Sequence, residues 1–151
     1  MADWFIIFAP CRTPEADDGS ESLVALRIGP KTAKVTTIPI WAEGVCRGDF
    51  VEFDEDFVVV EVLERAARRR RATFDEAGDG TRARWRLIRD YLRRWDIIAG
   101  PDPDRGELAL PGILLMAVPR DISDDRLVDI AVGSPVPLVL LREELKLTAA
   151  P

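Results

Sequence analysis

The sequence predicts an α+β protein. Residues 1–64 read as a β-rich subdomain, a curled β-meander or partial barrel, and residues 65–151 as a ferredoxin-like βαββαβ subdomain, the two forming one compact unit. Three observations predict this. Five short apolar or β-branched runs, separated by Gly, Pro and Asp, precede residue 64. An amphipathic helix and a capped second helix then alternate with apolar runs. The length, 151 residues at 47% hydrophobic, suits one domain or two small subdomains sharing a core.

Trp4–Ala9 is a short apolar run and reads as a buried strand. Thr13–Ser22 is rich in Asp, Glu, Gly and Ser and contains Pro14, which makes it a loop. Ser22–Ile28 alternates weakly, Gly29-Pro30-Lys31 is a turn, and β-branched residues carry a strand over Ala33–Trp41. Pro39 cannot donate to a ladder and marks an edge or a bulge there. A two-glycine loop follows, then strands Phe50–Phe53 and Phe57–Leu63 around the acidic turn Asp54-Glu55-Asp56.

The run Arg65–Glu76 fits either a helix or a strand, and Asp75–Gly80 is a loop. Arg82–Trp95 is a helix: at about 100° per residue, Trp85, Ile88, Tyr91, Leu92 and Trp95 share one side, and Arg82, Arg86, Arg89 and Arg93 share another. After the Gly100–Gly106 loop, Glu107–Leu110 and Gly112–Val118 read as strands, the second central because it is almost wholly apolar. Asp121 or Ser123 can cap a second helix that carries Asp124 and Asp125 in its first turn and stops at Gly133. Val136–Leu141 is the last strand, followed by a polar tail.

Charge is distributed unevenly. The chain has 21 basic and 27 acidic residues and a net charge of −6, yet residues 65–94 hold 11 arginines against 4 acidic residues. There is no histidine, which excludes Ser-His-Asp and Cys-His catalysis and most transition-metal sites. No apolar run reaches the roughly 18 residues of a membrane span. The N-terminus lacks the basic region of a signal peptide, and Cys11 and Cys46 fit no zinc spacing, so a reducing cytoplasm is expected.

The stretch Ile38-Pro-Ile-Trp-Ala-Glu-Gly-Val-Cys-Arg-Gly-Asp-Phe-Val-Glu-Phe resembles the signature of DUF4265, a bacterial family of unknown function. Val58–Glu64 continues the match as the next strand, and Ala117-Val118-Pro119 before an acidic helix is similar to the family's C-terminal half. The resemblance covers about Glu21 to Leu141 and is specific over Ile38–Phe53; Trp41, Cys46, the arginine run and Pro135/Pro137 depart from the pattern. It implies the fold and carries no activity and no catalytic residue.

The sequence therefore favours binding over catalysis. Arg68, Arg69, Arg70 and Arg71, with Arg82, Arg86, Arg89 and Arg93, are the candidate partner-binding residues, and arginine suits paired carboxylates. A protein partner with an acidic surface ranks above nucleic acid, which an acidic chain repels at longer range. By analogy with small acidic bacterial inhibitors, an immunity- or inhibitor-type protein is the favoured version. A nucleic-acid or nucleotide binder, and a carboxylate/arginine enzyme or accessory factor of a biosynthetic cluster, stay open. Trp41, Glu43, Arg47 and Asp49 are the loop candidates; Gly48-Asp49 reads first as turn structure. Asp54-Glu55-Asp56, Asp102/Asp104 and Asp121/Asp124/Asp125 lack calcium-loop spacing and read as turns and caps, so no metal or cofactor is expected. Cys46 beside Arg47 invites a lowered thiol pKa, with an inert cysteine as the favoured reading.

Overall fold

The computed structural model describes residues 3–11, 19–75, 81–107 and 112–141. Among these residues it shows a mixed α+β fold with two sheets and two helices, and the chain divides into two compact units at Arg69/Arg70.

Alternation builds the first unit. Strands β1 (Trp4–Cys11), β2 (Gly19–Gly29), β3 (Thr32–Val35), β4 (Phe50–Phe53) and β5 (Val59–Glu64) pair consecutively and antiparallel in one sheet. The register sets Ile7 opposite Leu23 and Ala25 opposite Val35. With Ala33, Val51 and Phe53, these period-two positions form the unit's core. The Phe8 N–H donates to the Phe57 carbonyl at 2.8 Å, which ties the first strand to the residues just before the fifth.

Two expectations change here. β2 starts at Gly19, inside the expected loop, whose residues 13–18 lie outside the described set. Ala33–Trp41 is a strand only to Val35. The Thr36 amide still donates to the Val24 carbonyl on β2, but beyond it Pro39 has no N–H and Ile40, Trp41 and Ala42 donate to the Glu21 carboxylate instead of to a ladder.

The second unit contains strands β6 (Ala67–Phe74), β7 (Ile98–Gly100), β8 (Ile113–Pro119) and β9 (Leu138–Leu140), in the spatial order β7-β8-β6-β9. The division between the units falls within β6. Helices α1 (Thr81–Leu92) and α2 (Asp124–Val132) lie between these strands in the chain, and a 3-10 turn at Arg93–Trp95 extends α1. Ser123 caps α2 by accepting the Arg126 N–H. The arginine run, which the sequence left between helix and strand, is strand: Ala72 lies opposite Leu140 and Phe74 opposite Leu138.

Trp85, Ile88 and Leu92 are buried against Leu114, Met116 and Val118 in one core with α2's Leu127 and Ile130. Tyr91 and Trp95 pack on it, and the Tyr91 hydroxyl donates to the Ile130 carbonyl at 2.6 Å. Leu115 and Ala117 are buried as well, as expected for an interior strand. On one side β8 pairs with Ile98–Gly100, of which the sequence reading left Ile98 and Ala99 unassigned and put Gly100 in a loop; residues 108–110 of the expected Glu107–Leu110 strand lie outside the described set. A three-residue strand is too short to show an alternation pattern.

Candidate functional site

The loop 36–49 is held by side chains. On one side, Glu21 Oε1 accepts from the amides of Trp41 (2.7 Å) and Ala42 (2.8 Å), and Oε2 accepts from Ile40 (2.7 Å). On the other, Arg69 Nη1 donates to the carbonyls of Pro39, Ile40 and Ala42 at 2.9–3.0 Å. Arg65 donates to the Gly44 carbonyl. Asp49 is fully buried and accepts from the amides of Cys46 (2.9 Å) and Ala66 (2.8 Å). Gly48 sits at φ +92°, where a side chain is strained and where an added Cβ would stand 3.0 Å from the Ala66 methyl. Asp49 thus closes its own turn. Of the other loop candidates, Glu43 is exposed, and Trp41 and Arg47 are half-buried.

Cys46 lies in the same loop. Burial, and then the negative charge of Asp49, push its thiol up to about 12, against smaller opposite effects of Arg47 and Arg69. This is an inert thiol, the reverse of an activated one.

The other arginines of the run also have internal contacts. Arg70 pairs with Asp124 at the start of α2 and donates to the Leu141 carbonyl. Arg71 is 5% exposed. Arg68 is half-buried.

The helix presents a different arrangement. Asp104 accepts a bidentate pair from Arg86, with Nε–Oδ2 and Nη2–Oδ1 both 2.8 Å. Arg89 Nη1 reaches the same carboxylate at 3.2 Å, and Arg82 Nε stands 3.8 Å away. Asp104 rides on a 3-10 turn, Pro103–Arg105, capped by the Asp102 side chain, and Asp102 lies 4.0 Å from Arg89. Hydrogen bonding to Arg86 leads the causes that hold the Asp104 carboxyl at about 2, and the same bond raises Arg86. Arg89 also lies over the Trp85 ring and Arg94 over Tyr91. Arg82 and Arg86 keep 59% and 48% of their side chains exposed; Arg93 and Arg94 are exposed.

The structure therefore brings Arg82, Arg86 and Arg89 together around Asp104 and gives Arg69 and Arg70 to separate tasks. Sequence reasoning missed Glu21 and assigned Asp102 and Asp104 to a turn alone. Among the described residues, no group of three or more His, Cys, Asp or Glu could hold a metal ion, and no helix is long and apolar enough to cross a membrane.

No family model and no curated protein matches the chain. Among solved structures it is similar to a hypothetical protein from Neisseria gonorrhoeae, with a TM-score of 0.54 at 11% identity, over 85% of this chain and 84% of that one. At that identity the likeness shows the fold alone.

Proposed function

We propose that this chain is a small binding protein, of immunity or inhibitor type, that engages an acidic protein surface through the outer face of α1. The observation that carries the reading is an excess of guanidinium at one place. Arg82, Arg86 and Arg89 share Asp104 and the nearby Asp102, and exposed Arg93 continues the face. Arg82 also occupies the first turn of α1, which has no acidic residue and where the helix dipole opposes a cation. A local rule broken at an exposed position is expected where function demands it. Asp104 pre-orients the guanidiniums, so less side-chain entropy is lost when a second carboxylate arrives.

The proposal narrows the sequence-based candidates to the helix, because Arg69 and Arg70 are committed to backbone carbonyls and Asp124. It carries four further readings. The second unit is ferredoxin-like, supported by its βαββαβ element order and the strand order β7-β8-β6-β9. The first is a curled meander or partial barrel, supported by consecutive antiparallel pairing and the Phe8–Phe57 bond. Membership of DUF4265 rests on Ile38–Phe53, and a cytoplasmic setting on free Cys11 and Cys46.

The test isolates a partner by cross-linking to an α1 surface position, then measures its affinity and the chain's melting for wild type and Arg86→Glu/Arg93→Glu. At least tenfold weaker binding with an intact fold is expected, since arginines at interface centres carry about 2 kcal/mol or more. Unchanged binding with a lowered melting temperature assigns the stripe to structure. Submicromolar DNA or RNA binding that falls steeply between roughly 50 and 200 mM salt transfers the face to nucleic acid.

A further inference from the structure

The outward side of β1 and β2 is apolar. The register stacks Trp4 on Leu26 and Ile6 on Val24, with Phe8 on the same side, while Ile7, Leu23 and Ala25 face the core; Ile28 follows at the bulge between Arg27 and Gly29. An antiparallel sheet with one buried face ordinarily shows polar residues on the other. Here Trp4 is 57% exposed, Ile28 53%, Ile6 45% and Val24 37%. The next strand adds Lys34, opposite Leu26, whose ammonium lies 6.0 Å from the Phe50 ring. Ser22 and Thr36 complete the rows.

We propose that this face is a homodimer interface, with the same face of a second copy as its occupant. The four exposures leave on the order of 400 Å² of apolar surface, the size of the largest apolar patch on a typical monomer, which is often functional. Two such faces remove about 800 Å² of apolar surface between them, and a polar rim brings the total into the roughly 1,200–2,000 Å² of a stable interface.

Charge selects the occupant. The chain carries −6, so two copies repel except where carboxylates are absent. Among the described residues of β1 and β2, this side carries no carboxylate, and Lys34 on β3 is the charge opposite it. A charged partner would bury unpaired groups on it, whereas its own copy would not. The exposed apolar pairs on β5 and α2 do not offer a matching surface. Val60 and Leu63 lie among Glu61 and Glu64, and Val128 and Val132 flank Asp129 on α2. A face meeting its own copy closes by two-fold symmetry, and two twisted sheets pack face to face about 10 Å apart.

The experiment is sedimentation equilibrium of the full chain from about 1 to about 100 µM, at low and high salt. The expected result is a dimer whose association does not weaken as salt rises. Ile6→Lys and, separately, Ile28→Lys should each weaken it at least tenfold, with native circular dichroism. Lysine at either outward position leaves the core residues in place, and the second variant covers misfolding of the first. Arg86→Glu/Arg93→Glu should leave association unchanged, which separates this interface from the α1 reading. A monomer throughout the range, or a dimer that survives both lysine variants, overturns the proposal.

Discussion

On β6 the arginines turn toward backbone and helix partners, and on α1 they line an outer face. Arg69 binds three carbonyls about thirty positions away in sequence, Arg70 a carboxylate on α2, and Arg71 is buried. Arg82, Arg86 and Arg89 converge on Asp104 with much of their surface in water. The side chain is the same, and the period of the backbone decides its use. A strand sends successive residues to opposite sides, so four arginines in a row serve different neighbours. A helix gathers residues three and four apart, so its arginines accumulate one field. A charge count over the whole window blends these two cases.

The largest expected effect breaks the comparison at the strand. Arg69→Leu keeps much of the bulk but leaves the carbonyls of Pro39, Ile40 and Ala42 without their shared donor. We expect a loss on the order of 3 kcal/mol by urea denaturation, because hydrogen bonds to a charged group are the costly ones to remove. A loss below about 1 kcal/mol, the level of an exposed ion pair, would put Arg69 in the same class as the helix arginines.

A pH titration sharpens the comparison at the helix. Asp104 is held at about 2, below its ordinary value of 3.8, mainly by the hydrogen bond from Arg86. The unfolded chain therefore takes up the proton first as pH falls. The stabilisation from Asp104 is complete above about pH 4 and is lost as pH drops toward 2. Asp104→Asn should show a shallower fall in urea midpoint across this window, with the two curves converging at its lower end. Parallel curves would mean that the carboxylate gains nothing from its three guanidiniums.

The smallest effect is expected at the end of the helix. Arg93 and Arg94 are exposed, and Arg93→Gln should change stability by no more than about 0.5 kcal/mol in the same urea assay. A larger loss would extend the structural use of arginine beyond α1 and weaken the case for a docking face.

Much of this fold was legible in the chain. Leu23, Ala25, Val35, Val51 and Phe53 hold the period of a half-buried sheet, and Trp85, Ile88 and Leu92 mark the inner side of α1. The arginine run was not legible, because four identical charged residues carry no hydrophobic period. Trp4–Ala9 misled in another way: a continuous apolar run reads as buried on both sides, yet Trp4 and Ile6 face water. The loop contacts were hidden by distance, since Glu21 and Arg69 lie far from residues 39–42 in sequence. Asp104 gave no signal beyond that of a turn residue, because its partners on α1 are 15 to 22 positions away.

The loop at residues 39–42 has its amides taken by Glu21 and its carbonyls by Arg69. Instructions for its shape are therefore written elsewhere in the chain. Grafted alone onto another scaffold, the segment would lose its form, whereas a graft carrying a glutamate and an arginine at equivalent positions would keep it. Mutational tolerance should be inverted accordingly. A loop normally drifts while its supports stay silent, but here exposed position 43 is expected to vary more freely than positions 21 and 69, which look like ordinary strand residues.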